Sequence, residues 1–347
     1  MYSSYDASSV VSASAAAKTI GAAAVATKGT ANKVELITSY EEGKSVFGED
    51  ASGVYGMSTL LRFLFANGAG AVKAVAVGKD ESEEKDYASA FAALSDEEDV
   101  GVMVCDSAAQ SVHLLLKTAA EDASAARRER IAVIGGSEET VAQMVNRAKA
   151  VNSERVVLVG PDIASDGGGT MSAVFAAAAV AGAIACGADP AVPLNGAELY
   201  GIGGLQSVCS DNDIDLLVQG GVTPLEDVGG VVSPVRGITT RTKTGSAADS
   251  TWRELTTVLI ADDVIPAVRS ALRSKFARAK NTAQGREAIR AQTIVELEKK
   301  KDAQIIESYG EVAVTAAADD PTVCLVEFSF AVAHGLNQIR LTVHLTV

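Results

Sequence analysis

The hydrophobic and polar positions of this chain alternate most regularly between residues 339 and 347. Apolar side chains take every second position of this segment, namely Ile339, Leu341, Val343, Leu345 and Val347. A period of two is typical of a β-strand and places these side chains on one face. A strand this apolar must pair, because an uncovered edge promotes aggregation. Two pairings are open: the strand completes a sheet of its own chain, or it adds to a sheet of a neighbouring subunit.

The middle of the chain alternates continuous apolar runs with segments of helical periodicity. Four such runs are each followed by a predicted helix: 71–77 by 83–94, 100–105 by 110–121, 130–134 by 138–150, and 155–159 by 170–186. Continuous apolar strands that alternate with helices predict a largely parallel sheet that is covered on both faces.

The pattern changes after residue 189, where loops and short strands predominate. The predicted elements that follow are a strand at 232–243, helices at 250–276 and 285–302, and strands at 311–316 and 323–333. Residues 1–18 are small and polar, which predicts an extended arm. The predicted fold class is therefore α/β, with a largely parallel α/β middle domain (19–235), an α+β C-terminal domain (236–336), and extended N- and C-terminal arms (1–18 and 337–347).

The charge of the chain is unevenly distributed. The net charge of −14 argues against a general nucleic-acid-binding protein, which needs a basic surface. Residues 252–301 contain eleven basic and six acidic side chains, a balance of +5, so that the remainder carries −19. This polarity suits head-to-tail self-association, or an acidic partner for the basic segment.

Cysteine spacing and hydropathy indicate in which cellular compartment the chain folds and whether it enters a membrane. The four cysteines have no paired spacing, which favours folding in a reducing compartment. The N-terminus lacks the basic start and apolar run of a signal peptide. The uncharged stretch 167–188 is long enough to cross a bilayer. Because it consists mainly of Ala, Gly and Ser, we predict a helix packed within the protein, and no membrane insertion.

Three glycine-containing motifs are candidates for ligand binding. Gly43-Lys44-Ser45 resembles the end of a phosphate-binding loop, but Thr38 stands where that motif needs its first glycine. Three glycines at 201, 203 and 204 lack dinucleotide-binding spacing, because position 206 is Gln. The turn at 134–137 follows a strand and could hold an anion at a helix N-terminus, although such turns are routine in α/β folds.

Histidines complete the search for catalytic chemistry. The three histidines, His113, His334 and His344, are far apart and lack the spacing of metal ligands. No arrangement of Ser, His and Asp stands out. We therefore predict no catalytic residue, no cofactor and no metal site.

Four stretches of the chain match the pattern of a known family: GAAAVATKGTANKVELITSYEEGKSVFGED (21–50), DPAVPLNGAELYGIGGL (189–205), GGVTPLED (220–227) and VRGITTRTKTGSAADSTWRELTTVLIADDVIPAVRSAL (235–272). They resemble contractile tail sheath proteins, the family found in contractile-tailed phages and phage-tail-like bacteriocins. These motifs are patterns rather than chemical signatures, and their order along the chain carries the resemblance. The chain is short for the family, so it resembles a minimal sheath without additional outer domains.

The resemblance implies a structural polymer and no enzyme. Sheath subunits form hexameric rings that stack helically around a tail tube, and their arms add strands to adjacent subunits. The sheath assembles in an extended state and contracts to drive the tube through a cell envelope. The implied partners are other copies of the chain, the tail tube protein, and baseplate and tail terminator proteins. The implied location is the bacterial cytoplasm during assembly, then a phage tail or tail-like particle released by lysis.

The resemblance also suggests residue roles. The apolar face of residues 339–347 would link subunits, and the basic helical region would face the tube. The candidate tube-facing residues are Lys275, Arg278, Lys280, Arg286 and Arg290. Within 333–338, Gly335 and Asn337 are residue types that tolerate large changes in φ and ψ, which predicts a hinge.

Two other functions remain open. One is a small-molecule-binding or enzymatic doubly wound α/β protein, with a crevice at the carboxyl ends of its strands. The other is a subunit of a different self-assembling shell or filament. Electron microscopy of the purified protein distinguishes a sheath from an enzyme, because long hollow tubes support a sheath and discrete oligomers with ligand-dependent melting support an enzyme.

Overall fold

The computed structural model describes residues 18–79, 85–165 and 169–337. The predicted N-terminal arm lies outside the described residues except for Lys18, and so does the predicted terminal strand at 339–347.

An eight-stranded sheet forms the centre of the molecule. Its strands, in spatial order, are β13 (Val231–Pro234), β12 (Thr223–Val228), β8 (Val156–Gly160), β7 (Ile131–Gly135), β6 (Val100–Cys105), β1 (Thr19–Ala24), β3 (Val72–Ala76) and β2 (Val34–Ile37). Neighbouring strands are parallel, except that β2 and β13 at the two edges are antiparallel to their partners. The prediction of a largely parallel sheet is confirmed.

Nine helices accompany the strands in the described part of the chain. They are α1 (Tyr40–Phe47), α2 (Met57–Ala66), α3 (Tyr87–Ser95), α4 (Gln110–Ala125), α5 (Val141–Val151), α6 (Ala173–Cys186), α7 (Asp211–Gln219), α8 (Leu255–Phe276) and α9 (Ala283–Asp302). Seven short strands lie outside the central sheet and precede α8: β4 (Gly78–Lys79), β5 (Lys85–Asp86), β9 (Ile163–Ala164), β10 (Thr170–Met171), β11 (Gly204–Leu205), β14 (Lys243–Thr244) and β15 (Ala247–Ala248).

The membrane-like stretch of the sequence is a core helix. Nearly every side chain of α6 is buried, and the helix packs between α2 and strands β6, β7 and β8. Its first turn lies so close to the sheet that a Cβ atom on Gly135 would be 2.2 Å from the carbonyl group of Ala173. Within the described residues, no helix has the length and apolarity needed to span a membrane.

The C-terminal domain contains two separate two-stranded antiparallel sheets beside α8 and α9. Strand β16 (Ile306–Tyr309) pairs with β19 (Phe330–Val332), and β17 (Ala313–Ala316) pairs with β18 (Cys324–Glu327). The single strand predicted at 323–333 is therefore wrong. The strand is interrupted at Phe328–Ser329. There the Ser329 carbonyl accepts a hydrogen bond from the Gly310 amide, and Phe328 packs onto the core of the C-terminal domain.

Two further boundaries differ from the sequence predictions. The strand predicted at 232–243 ends at Pro234, and the helix predicted from residue 250 begins at Leu255. The intervening backbone groups bond across the loop instead: the Thr239 amide donates to the Arg253 carbonyl, and the Leu255 amide donates to the Gly237 carbonyl. Residues 250–254 are thereby held in a turn.

Helix α8 belongs to two hydrophobic cores. Near its start, Leu255, Val258 and Leu259 pack in the core of the central sheet. Further along, Ile260, Val264 and Val268 form the core of the C-terminal domain with Leu297 of α9 and other residues. One continuous helix therefore joins the two parts of the molecule.

Candidate assembly surfaces

The carboxyl edge of the central sheet is the place where open α/β folds usually bind ligands. Here that edge is filled by carboxylates of the chain itself. Asp162 accepts hydrogen bonds from the amides of Glu138 (2.6 Å) and Ala173 (2.8 Å), at the starts of the segments where an anion would bind. Asp106 accepts from the Val25 amide (2.9 Å) and the Tyr87 hydroxyl (2.6 Å), and burial raises the pKa of Asp106. Backbone amides that could bind an anion at this edge therefore already donate to carboxylates of the chain itself.

His113 belongs to a buried network at the same edge. Its Nε2 lies 2.8 Å from the Ser107 carbonyl and its Nδ1 lies 3.2 Å from Nη1 of Arg147, so the neutral ring donates from Nε2 and accepts at Nδ1. Arg147 also donates twice to Oε1 of Glu139, at 2.8 and 2.6 Å. Burial, together with the charge of Arg147, lowers the pKa of His113 to about 4, against the hydrogen bond to the Ser107 carbonyl, which raises it. The network joins α4 to α5 and has a structural role.

The buried imidazole makes stability depend on pH. Between the usual pKa of 6.5 and the value of about 4 in the folded protein, the unfolded chain binds a proton that the folded chain does not. The free energy of unfolding therefore falls as the pH falls through this range, by up to about 3 kcal/mol from this group. We expect His113→Gln to remove this part of the pH dependence, measured by urea unfolding at pH 7, 5.5 and 4.5. The control is His334→Gln, at an exposed histidine. Parallel losses in the wild type and His113→Gln would contradict the assignment.

The other glycine-containing motif candidates also have structural roles. Gly43 lies inside α1, where a Cβ atom would be 2.5 Å from a methyl group of Leu61, so it permits α1 and α2 to pack closely. Gly201 has a φ of 83° in a turn that precedes β11. The described residues hold no group of three His, Cys, Asp or Glu side chains with the geometry of a metal site.

The candidate tube-facing residues lie around the turn between α8 and α9. We call residues 273–290 the basic elbow. Lys275, Arg278 and Lys280 are exposed, and Lys275 donates to Oε1 of Gln292 at 2.6 Å. Arg286 and Arg290 are half-buried and donate to Oδ1 of Asn281 and to the carbonyl of Val312, respectively. The first three are thus available to a partner, and the last two also hold the elbow in place.

An acidic segment contacts the basic elbow. Residues 303–337 contain no Lys or Arg and five acidic residues, namely Glu307, Glu311, Asp319, Asp320 and Glu327. Asn281 of the elbow donates to the carbonyls of Pro321 (2.8 Å) and Val323 (3.1 Å), next to the turn between β17 and β18. Surfaces of opposite charge therefore adjoin at one end of the C-terminal domain.

The first and last described residues of the chain lie at the same cavity. Lys18, which follows the predicted N-terminal arm, and Asn337, which precedes the predicted terminal strand, both line this cavity of about 110 Å³. We call this cavity the arm root. Asn337 accepts a hydrogen bond from Nδ2 of Asn195 (3.0 Å), and a Cβ atom on Gly335 would be 2.9 Å from the ring of Pro193. The predicted hinge residues are thus held against the loop at 193–195.

A buried ion pair lies at the arm root and joins α8 to the central sheet. Nη1 of Arg155, which precedes β8, contacts both carboxylate oxygens of Asp262 on α8, at 2.7 and 2.6 Å. Burial raises the pKa of Asp262, whereas Arg155 and Lys18 oppose this rise; burial also lowers the pKa of Lys18. Two turns further along α8, Arg269 pairs with Glu129 at 2.7 Å. Sequence reasoning missed this cluster, although two adjacent aspartates in an apolar helix were a signal.

Strand β19 borders a groove. Strand β19 pairs with β16 on one side. The strand also lines a groove of about 520 Å³, whose other lining residues are His334, Ser250, Thr251, Trp252 and Glu254, with Thr257 and Ala261 of α8. Within the described residues, no strand pairs with the second edge of β19. The edge is therefore a candidate acceptor for a further strand.

Two family models match the chain and together cover most of it. Residues 80–240 match the phage tail sheath protein central domain, and residues 247–346 match the phage tail sheath C-terminal domain. Among curated proteins, the tail sheath protein of Bacillus phage SP01 is 30% identical over 228 residues, which is 63% of this chain. The matched region is 38% of the length of that relative.

Solved structures share the fold at low identity. The sheath tail protein from Desulfitobacterium hafniense is 11% identical, with a TM-score of 0.71 over 96% of this chain and 100% of that one. The sheath tail protein from Listeria innocua is 12% identical, with a TM-score of 0.73 over 92% of both chains. The helical sheath of the anti-feeding prophage in its contracted state is 14% identical, with a TM-score of 0.72 over 99% and 98% of the two chains.

Proposed function

The chain belongs to the phage tail sheath family, as its sequence motifs indicated, and on that premise we propose that it is the structural subunit of a contractile tail sheath. The observation that carries the proposal is the match of both sheath domains in order along the chain. The filled carboxyl edge of the central sheet supports a structural rather than an enzymatic role. The first test is electron microscopy of the purified protein, in which hollow tubes are expected. Discrete oligomers with ligand-dependent melting would overturn the proposal.

In this proposal, subunits form hexameric rings that stack helically and are linked by exchanged strands. Residues 339–347 of one subunit pair with the free edge of β19 in another, with their apolar face toward the groove beside Trp252. The N-terminal arm adds a second link. Support comes from the alternation of apolar residues in 339–347 and from the unpaired edge of β19. Contacts of this head-to-tail kind generate helical filaments when they do not close into a ring.

The basic elbow is the surface that we propose for the tail tube. The exposure of Lys275, Arg278 and Lys280 supports this assignment. Exposed ion pairs contribute only about 0.2–1 kcal/mol each, which suits a contact that must hold during assembly and release on contraction. The ends of the polymer would contact baseplate and tail terminator proteins. Assembly would take place in the bacterial cytoplasm before release of the particle.

Charge reversal in the elbow is expected to separate sheath from tube. Arg278→Glu combined with Lys280→Glu should give sheaths that are largely empty, because both attractions become repulsions in every subunit. The measurement is the fraction of tube-filled particles by electron microscopy when the tube protein is co-expressed. The matched control is Lys299→Glu with Lys301→Glu, which reverses two exposed charges at the other end of α9. Tube-filled particles at the wild-type frequency would count against the elbow as the tube surface.

Contraction would require the arms to turn while each subunit stays folded. We propose that residues 333–338 provide this movement, with Gly335 and Asn337 as the hinge. The contacts of these residues with Pro193 and Asn195 hold one orientation of the linker. Release of the contacts would free the linker to adopt another, without hydrolysis of a nucleotide.

A further inference from the structure

The free edge of β19 raises the question of what covers it before a subunit assembles. Open strand edges are templates for unwanted pairing, and natural proteins usually cover them. The groove beside β19 is bounded by the strand on one side and by α8 and Trp252 on the other. A groove with a strand edge as one wall fits one additional strand.

The segment after Asn337 begins beside this groove. His334 lines the groove directly. Nδ2 of Asn337 lies 3.5 Å from Oε2 of Glu254, another residue of the groove wall. Only six residues, 333–338, separate Val332 from Ile339, and connections of two to six residues commonly join elements that are adjacent in space. The apolar segment 339–347 is therefore near enough to return along β19 of its own chain.

The length of the connection also places the correct face inward. In an antiparallel hairpin with a six-residue loop, Ile339 is opposite Val332 and Leu341 is opposite Phe330. Val332 and Phe330 are the half-buried residues of β19, and Ala331 between them is exposed. The apolar face of the segment would join the buried face, and Arg340 would lie opposite exposed Ala331. A loop one residue longer or shorter would move every side chain of the segment to the opposite face of the sheet. The even number of residues in this loop therefore favours the proposed pairing.

We infer that in the free subunit residues 339–347 cap β19 of their own chain, and that assembly exchanges this strand for that of a neighbour. The inference rests on the proposed function, which supplies the exchange partner. Assembly is then an exchange of identical elements between copies, as in domain swapping. Self-capping protects the free subunit from pairing at random and delays polymerisation until a growing end offers a strand in return.

Trp252 provides a direct test, because it is the only tryptophan in the chain and lines the groove. In full-length monomer isolated at low concentration, Leu341→Asp should expel the segment. We expect a red shift of Trp252 emission and stronger quenching by acrylamide. Thr342→Asp, on the opposite face of the same segment, is the matched control and should leave both unchanged. Identical emission and quenching in the wild type and both variants would overturn the inference.

Disulfide trapping identifies whose strand occupies the groove. In a full-length chain with Cys186, Cys209 and Cys324 replaced by Ser, Ala331→Cys and Arg340→Cys create a pair that the proposed register places opposite each other, within the reach of a disulfide. Oxidised monomer should contain a disulfide within one chain, whereas oxidised particles should contain disulfides between chains. The control pair, Ala313→Cys with Arg340→Cys, uses an exposed position on β17 and should not close within a monomer.

The two readouts separate the inference from the proposed function. If monomer forms no internal disulfide while particles form normally and cross-link between chains, self-capping is wrong and the sheath function stands. If the wild-type protein forms no tubes, the sheath function fails regardless of the state of Trp252.

Discussion

Deletion of residues 338–347 is expected to abolish polymerisation and to leave a folded monomer. The C-terminal core is built from α8, α9 and strands that precede residue 338, with Val264, Leu297 and Ile306 fully buried. The deletion removes the segment that we propose links subunits but none of these core residues. The subunit should therefore stay folded, with the circular dichroism of its helices retained and a melting temperature lowered only by loss of the strand that caps β19, while electron microscopy shows no tubes.

A single charge should have a similar effect on assembly. Val343→Asp forces a carboxylate into the apolar face of the strand, where burial without a partner costs several kcal/mol. Thr346→Asp places the same charge on the polar face and should still assemble, so it is the matched control. Truncated protein that forms sheaths would refute strand exchange, and so would truncated protein that fails to fold.

Removal of the Asp262 carboxylate is expected to destabilise the subunit more than loss of any exposed ion pair. The side chain of Asp262 is 8% exposed and that of Arg155 is 17% exposed. Asp262→Ala leaves the buried cations of Arg155 and Lys18 without this partner. Loss of one member of a buried pair typically costs about 3–5 kcal/mol. We expect a decrease of that size in the free energy of unfolding, measured in urea.

Two controls separate burial from charge. Arg155→Leu combined with Asp262→Leu removes both charges and should cost much less than Asp262→Ala, because apolar replacement of a whole buried pair is often tolerated. Glu154→Ala breaks the neighbouring Arg241–Glu154 pair, whose side chains are 25% and 30% exposed, and should cost at most about 1 kcal/mol. If Asp262→Ala and Glu154→Ala lowered the free energy of unfolding equally, the buried pair would contribute no more to stability than an exposed one.

The central sheet could be predicted from sequence because its inner strands are continuous apolar runs. The fully buried β7 and β8 are such runs, each followed by a helix with a clear period. The C-terminal strands were harder, because 323–333 contains apolar residues on both sides of the break at Phe328–Ser329. What divides it is a tertiary hydrogen bond from Gly310, and no local pattern encodes that contact. Strand β16 was missed because its four residues, IESY, form neither an apolar run nor a strict alternation of apolar and polar positions.

The candidate surfaces were predictable only in part. The basic residues between 273 and 290 stand out in the sequence, and their adjacency follows from two helices joined by a short turn. The arm root could not be predicted, because Lys18 and Asn337 are far apart along the chain and meet only through the fold. The same holds for Arg155 and Asp262, which meet because α8 crosses the start of β8.

In the sheath that we propose, the position of Lys18 and Asn337 at one cavity has a mechanical consequence. Forces that act through a single point exert no torque about that point. If neighbours pull on both arms of a subunit, the two tensions meet at the cavity between Lys18 and Asn337. The subunit could then rotate about this point as one rigid body, because α8 contributes side chains to both hydrophobic cores and so connects them. Rings could rotate and widen while the tethers between subunits keep a constant length.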